Sequence, residues 1–167
     1  RILTGPRPMK HLIAISTAFI MGVMVASSAG AEDAKKLEWL FVHTAKTAEM
    51  TSETTLVMPV EREIFAFTDR PNRKHGYMTA KWFVGMWGDD KGDSFKADPP
   101  NAVLTWVDGD TVREQELVIT NATAAADSKS IVYEVKFEAG HKANKVLKNA
   151  SVFIDGIADI LGWTSCC

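Results

Sequence analysis

Residues 130–138 read SIVYEVKFE and show the clearest periodicity in the chain. Every second side chain is apolar or aromatic, and the residues between them are mostly charged. The apolar set is Ile131, Tyr133, Val135 and Phe137. Because side chains two residues apart point to the same side of a β-strand, this segment predicts a strand that buries one face and exposes the other. Strands of this kind are typical of antiparallel sheets with one solvated side.

Similar runs, each bounded by turn residues, occur along much of the chain. They cover residues 37–43, 54–60, 61–67, 102–107, 112–120 and 150–155. Residues 64–67 read IFAF, which indicates a buried central strand. No helical pattern alternates regularly with these runs, so a parallel α/β sheet is disfavoured. We predict a mainly β fold, an antiparallel β-sandwich of about seven or eight strands.

Residues 79–87 read TAKWFVGMW and have helical spacing instead. Thr79 can cap a helix through its side-chain oxygen, and Gly88 is suited to end it. One apolar stripe contains Trp82, Phe83, Met86 and Trp87. We predict one short helix over residues 79–87, packed against the sheet. A ligand groove lined by Trp82 and Trp87 is the alternative use of the stripe.

The N-terminal part of the chain predicts export. Residues 12–26 are almost wholly apolar and uncharged; Met9-Lys10-His11 precedes them, and small residues ending in Ala29-Gly30-Ala31 follow. This order is that of a secretory signal peptide, and the run of about fifteen apolar residues is shorter than a membrane span. We expect an extension over residues 1–8 before a start at Met9, a signal peptide over 9–31, a β-sandwich domain over 32–155 and a tail over 156–167. The mature protein is then periplasmic or extracellular, without a stable membrane anchor.

The charge balance bears on the class of partner. The whole chain has 19 basic and 21 acidic residues, a net charge of −2. Residues 1–31 contain three basic and no acidic residues, so the mature chain has a net charge of −5. A mildly acidic domain has no electrostatic attraction for a polyanion, and we expect no nucleic acid as a partner.

The middle third carries an ordered set of motifs. It reads FAFTDRPNRKHGYMT from Phe65, WFVGMW from Trp82 and DSFKADPPNAVL from Asp93. This pattern resembles a family of small secreted proteins, mostly bacterial and poorly characterised. Its members share a strand ending in S/T-D-R-P, M-T before a helix with F-V and W, then D-S-F and D-P-P-N-A. The resemblance covers most of the mature chain and implies a shared secreted fold, but it implies no particular activity.

Polar residues in these motifs form the candidate binding site. Asp69 can accept hydrogen bonds from backbone amides two residues on, which ties down its loop, and Arg70 and Arg73 can pair with Asp93 or Asp98. Such a network is either a scaffold that locks two loops or an exposed polar site. We predict a non-enzymatic binding or interaction module for an unknown protein or small molecule. The candidate ligand-binding residues are Asp69, Arg70, Arg73, His75, Trp82, Trp87, Asp93 and Asp98.

A transition-metal site is the first alternative. The histidines are widely separated in sequence, and the adjacent cysteines do not have the spacing of a zinc motif. We predict no cofactor, but a periplasmic copper- or zinc-binding protein remains the alternative function. Its ligands would be His43, His75, His141, Cys166 and Cys167.

Three further alternatives follow from single features. Residues 89–93 read DDKGD and suggest a calcium loop, although the twelfth position that a hand-type loop needs is Pro100. A hydrolase of unknown substrate is a second alternative function, although the chain contains no nucleophile elbow, P-loop or dinucleotide-binding motif. After export, Cys166 and Cys167 are able to link two chains into a dimer.

Overall fold

The computed structural model describes residues 38–88, 94–138 and 145–156. Within these ranges it contains eight strands, one α-helix and one 3-10 helix. The strands are β1 (Trp39–Met50), β2 (Thr55–Pro59), β3 (Ile64–Thr68), β4 (His75–Met78), β5 (Asn101–Asp108), β6 (Thr111–Ala124), β7 (Ser130–Phe137) and β8 (Val146–Ile154). The helix α1 (Ala80–Val84) continues directly into the 3-10 helix (Gly85–Trp87).

Six of the strands form a closed barrel. The strand order is β1, β2, β7, β6, β5 and β8, and β8 pairs again with β1. All strand pairs are antiparallel, and β3 and β4 form a hairpin that extends from β1. The prediction of a mainly β protein with one short helix is therefore confirmed. The prediction of a sandwich is wrong, because its core strands close into one barrel instead of forming two packed sheets.

The length of β1 explains how the barrel closes. This strand has 12 residues and pairs with β8 along most of its length. Its other edge is divided: residues 39–42 pair with β3, whereas Glu49 and Met50 pair with β2. On this edge β1 therefore pairs with β3 near its beginning and with β2 near its end. The pairing with β2, which is the first strand in the order of the sheet, closes the sheet into a barrel. Inward and outward side chains alternate in the same way in a sandwich and a barrel, so the sequence pattern does not separate the two folds.

Irregular positions in the strands accompany this closure. The register shifts between Thr105 and Val107 in β5 and between Ile119 and Asn121 in β6. Within β8, Asn149 has a positive φ of 48° and the alternation of buried residues changes phase there. Bulges of this kind bend a strand and increase its twist, which is the curvature that a closed barrel needs.

The segment after β4 fills the end of the barrel where β1 and β5 begin. The Phe83 ring of α1 lies 5.5 Å from Phe41, 5.3 Å from Trp87 and 6.4 Å from Tyr133, measured between ring centroids. Phe95 follows, with its ring 4.6 Å from Trp87. We call Phe83, Trp87 and Phe95 the aromatic plug of the barrel. Their contacts agree with the predicted packing of this helix on the sheet.

The boundaries of this helix follow from local chemistry. The Thr79 hydroxyl accepts a hydrogen bond from the Trp82 amide at 3.3 Å, so Thr79 is the predicted N-cap. Gly88 ends the 3-10 turn, and its amide donates to the Gly85 carbonyl. The one described strand that the sequence pattern missed is β4, which has only four residues and contains Gly76. The predicted signal peptide and most of the predicted tail lie outside the described residues.

Candidate functional site

The turn between β3 and β4 carries the first group of predicted site residues. The Asp69 carboxylate accepts a hydrogen bond from the Arg70 amide at 2.6 Å, and its carbonyl accepts from the amides of Asn72 and Arg73. Arg73 has a positive φ of 50°. Asp69 therefore ties down its own loop as predicted, but its carboxylate bonds the amide of the next residue and not an amide two residues on. The turn leaves Asp69, Arg70, Arg73 and His75 exposed.

The segment before β5 carries the second group. Ser94 is buried, and its hydroxyl accepts a hydrogen bond from the Ala97 amide at 3.3 Å. Phe95 is fully buried in the plug, and its amide donates to the Met86 carbonyl. Asp98 is exposed. A short turn anchored by Ser94 and Phe95 thus places Asp98 at the surface.

The predicted pairing of the two loops is not found among the described residues. Neither Arg70 nor Arg73 forms an ion pair with Asp98 or with any other residue that the structure describes. Asp93, the other predicted partner, lies outside the described residues together with the rest of the DDKGD run. The arginines and Asp98 are therefore exposed charges at the loops of the barrel, and their role in binding stays a prediction.

The two tryptophans of the helix have different environments. Trp87 is 3% exposed, and its indole nitrogen donates to the Ile119 carbonyl at 3.4 Å. Trp82 is 48% exposed and lines a surface cavity together with Lys81, Gly85 and Met86. The groove predicted from both side chains therefore involves Trp82 only. Trp87 packs in the plug because it lies four residues after Phe83 on the buried side of the helix.

A histidine and a tyrosine meet inside the barrel. His43 Nε2 lies 3.0 Å from the Pro59 carbonyl oxygen, and His43 Nδ1 lies 2.8 Å from the Tyr133 hydroxyl oxygen. A carbonyl oxygen only accepts, so Nε2 carries the proton of the neutral ring and Nδ1 accepts from Tyr133. Burial lowers the pKa of His43 from 6.5 to about 4, against the opposing effect of the Pro59 carbonyl. Burial also raises the pKa of Tyr133 well above 10.

This His43–Tyr133 pair is a satisfied polar contact of the core. Both ring nitrogens of His43 already have partners, so a metal ion could bind there only by breaking one of the hydrogen bonds. Among the described residues, no group of three His, Cys, Asp or Glu side chains is placed to hold a metal ion. His75 lies on the outside of β4, while His141, Cys166 and Cys167 lie outside the described residues. The transition-metal alternative stays a prediction.

An apolar surface on the outside of the barrel was missed by the sequence reasoning. Its central row contains five side chains that face each other across adjacent strands β4, β3, β1, β8 and β5. In that order the row is Tyr77, Phe65, Val42, Phe153 and Val103. Tyr77 is 59% exposed and Phe153 is 47% exposed. The other three are half-buried.

A second row extends this surface toward the β3–β4 turn. Phe67 lies opposite Leu40 on one side and His75 on the other. The Phe65 ring lies 5.4 Å from the Tyr77 ring, 5.7 Å from the Phe67 ring and 6.3 Å from the His75 ring. We call the seven apolar residues of the two rows the outer aromatic face. They are Leu40, Val42, Phe65, Phe67, Tyr77, Val103 and Phe153.

Charged residues flank the outer aromatic face on two sides. Glu116 lies opposite Val103 on β6, and Glu114 lies two residues before it; both are exposed. Arg73 and Lys74 are exposed in the turn at the β4 side. One sequence signal indicated this surface: residues 64–67 read IFAF, so the side chains on both sides of β3 are apolar. That signal was interpreted as a strand buried on both sides, whereas Phe65 on the outer side is only half-buried.

No helix in the part of the chain that the structure describes is long and apolar enough to span a bilayer. Comparison of the chain with protein-family models, with curated proteins and with solved structures found no match.

Proposed function

We propose that this protein is a non-enzymatic interaction module that binds a protein partner through the outer aromatic face. The observation that carries the proposal is the row from Tyr77 to Val103, in which two large side chains, Tyr77 and Phe153, are about half exposed. Single exposed apolar residues are ordinary in soluble proteins, but contiguous apolar patches rimmed by polar residues mark interaction sites. Aromatic residues are also enriched in protein interfaces.

The shape of this surface favours a protein over a small molecule. Five adjacent strands at the usual strand spacing make the row about 19 Å wide. Three of these strands, β1, β8 and β5, belong to the barrel wall, whose outer surface is convex, and β3 and β4 extend the sheet from β1. Small-molecule sites are concave because they must cover most of the ligand surface. A partner protein with its own apolar patch is able to cover the whole row.

The charged residues beside the outer aromatic face indicate which charges the partner surface should carry. The turn with Arg73 and Lys74 favours acidic groups at one edge of the interface, and Glu114 and Glu116 favour basic groups at the opposite edge. Charges at a rim contribute mainly to specificity and association rate, while the apolar centre supplies most of the affinity. The expected partner surface is apolar in the middle and oppositely charged at its two ends.

Export is part of the same proposal. A signal peptide over residues 9–31 places the mature module in the periplasm or outside the cell. Cell fractionation followed by N-terminal sequencing of the exported protein tests this directly. The expected first residue is Glu32. A product that keeps residues 9–31 or stays in the cytoplasm contradicts the proposed compartment and leaves the binding surface as a separate question.

Site-specific photo-cross-linking tests the binding surface. A photoreactive phenylalanine analogue replaces Tyr77 in one variant and Phe153 in a second. The matched control places the analogue at Val112, which is 70% exposed on β6 and lies outside the outer aromatic face. We expect the same protein adduct from positions 77 and 153 and no such adduct from position 112.

A further substitution separates specific from accidental adducts. Phe65→Ser in the position-153 variant should remove the adduct, because Phe65 lies in the same row without carrying the photoreactive group. Equal labelling from all three positions contradicts the proposal, as does an adduct that survives Phe65→Ser. An adduct with twice the mass of the chain also contradicts a separate partner, since it identifies the occupant as a second copy.

A further inference from the structure

A cavity of about 430 Å³ lies beside α1 and the 3-10 helix. The described residues that line it are Lys81, Trp82, Gly85 and Met86. These residues have the spacing i, i+1, i+4 and i+5, so they share one side of the helical segment. The cavity is open to solvent, and its volume falls within the range of small-molecule sites, roughly 300–1,000 Å³. We call it the Trp82 cavity; it is a different feature from the outer aromatic face.

Gly85 lines this cavity without contributing a side chain to it. Its backbone has φ −59° and ψ −19°, an ordinary right-handed helical conformation that any residue adopts. A Cβ atom added at Gly85 would meet no atom within 4 Å. Neither backbone strain nor a close contact therefore requires glycine at this position. Glycine in a helix is less stable than alanine by roughly 0.5–1 kcal/mol, and what it leaves here is open space in the lining of the cavity.

The lining has the chemistry of an amphipathic anion site. Trp82 is half exposed and offers an indole ring, and Met86 offers a polarisable thioether that is almost fully buried. Lys81 is the charged residue among the described lining, and it forms no ion pair with any described residue. A lysine and an exposed indole in the lining of one cavity match a ligand with a planar apolar body and one negative group.

We propose that the Trp82 cavity binds a small organic anion with an aromatic body. The ring of the ligand stacks on the Trp82 indole and contacts Met86, and its carboxylate or sulfonate pairs with the Lys81 ammonium group. The space left by Gly85 holds the apolar part of the ligand. This site does not depend on the proposed protein partner, because none of its residues belongs to the outer aromatic face.

Calorimetric titration with 2-naphthoate tests the proposal, with neutral 2-naphthamide as the matched ligand. We expect one molecule of 2-naphthoate to bind per chain. The Lys81→Gln variant should bind 2-naphthoate about tenfold more weakly than the original chain, because a charge-assisted hydrogen bond is lost. For the same reason the original chain should bind 2-naphthamide about tenfold more weakly than 2-naphthoate. Gly85→Leu should abolish binding, because Gly85 lines the cavity, a Cβ atom there has open space around it, and the larger side chain should occupy the volume that the ligand needs.

Two controls make the result specific to this cavity. Thermal unfolding should show that Gly85→Leu is as stable as the original chain or more so, since leucine favours a helix over glycine. Tyr77→Ser removes an aromatic side chain from the outer aromatic face that is 59% exposed, against 48% for Trp82, and should leave 2-naphthoate binding unchanged. Absence of binding overturns the proposal. Binding that survives Gly85→Leu, is unaffected by Lys81→Gln or is lost in Tyr77→Ser overturns it as well.

Discussion

The neutral histidine inside the barrel predicts a loss of stability at mildly acidic pH. The pKa of His43 is about 4 in the folded protein, against 6.5 for an unperturbed histidine. As the pH falls through 6.5, the unfolded chain takes up a proton on His43 while the folded protein does not. The unfolded state then binds more protons, so the free energy of unfolding decreases with decreasing pH. Below about pH 4 both states are protonated and this effect stops growing.

The magnitude follows from the difference between the two pKa values. Each pKa unit corresponds to about 1.4 kcal/mol, so the full effect is about 3 kcal/mol. At pH 5 the unfolded histidine is almost fully protonated and the folded one is not, which makes the expected loss about 2 kcal/mol relative to pH 8. Such a loss is a large fraction of the stability of a typical domain, which is about 5–15 kcal/mol.

Urea unfolding at pH 8, 7, 6 and 5 measures this effect against the variant His43→Gln. Glutamine keeps one donor and one acceptor but does not titrate, so the other ionisable groups contribute equally to both proteins. We expect the original chain to lose about 2 kcal/mol more than the variant between pH 8 and pH 5. Equal losses in the two proteins would refute the reasoning. If the variant does not fold, nitrogen NMR of the His43 ring decides: a midpoint near 6.5 contradicts a neutral buried histidine.

Three other substitutions test core packing, a close backbone contact and the helix cap, each by urea unfolding. Phe83→Ala should cost roughly 3–5 kcal/mol, because a fully buried ring at the centre of the plug leaves a cavity; a cost below 1 kcal/mol would contradict the plug. Gly156→Ala should be strongly destabilising, since its Cβ would overlap the Trp39 carbonyl oxygen, and Gly85→Ala is the matched control that should not destabilise. Thr79→Ala should cost about 1 kcal/mol through loss of the helix cap, whereas Thr79→Ser should keep most of the stability.

Much of the local structure was predictable because it depends on neighbouring residues. The alternation in residues 130–138 correctly assigned the buried side of β7, and Thr79 correctly marked the start of α1. The strand β4 was not predictable, since four residues around Gly76 have little periodicity of their own. It becomes a strand because β3 offers it a paired edge. Short strands of this kind depend on their neighbours more than on propensity.

The candidate site also has some properties that the sequence predicted and others that it could not predict. Exposure of Asp69, Arg70, Arg73 and Asp98 agrees with loop positions, which side-chain chemistry indicates. Their expected ion pairing does not occur within the described residues, because pairing depends on where two separate loops lie. Trp82 and Trp87 show the limit clearly: both belong to the apolar stripe, yet one lines a cavity and the other bonds to Ile119.

By itself, the sequence determined that this protein is mainly β, which segments form most of its strands and where its short helix begins. These properties arise from the two-residue period of a strand and the capping chemistry of a helix, which act over a few residues. Only the tertiary structure decided that the sheet closes into a barrel, that His43 meets Tyr133 inside it and that five strands align one apolar row outside it. These features require contacts between residues far apart in the chain, and local periodicity carries no information about which strands pair.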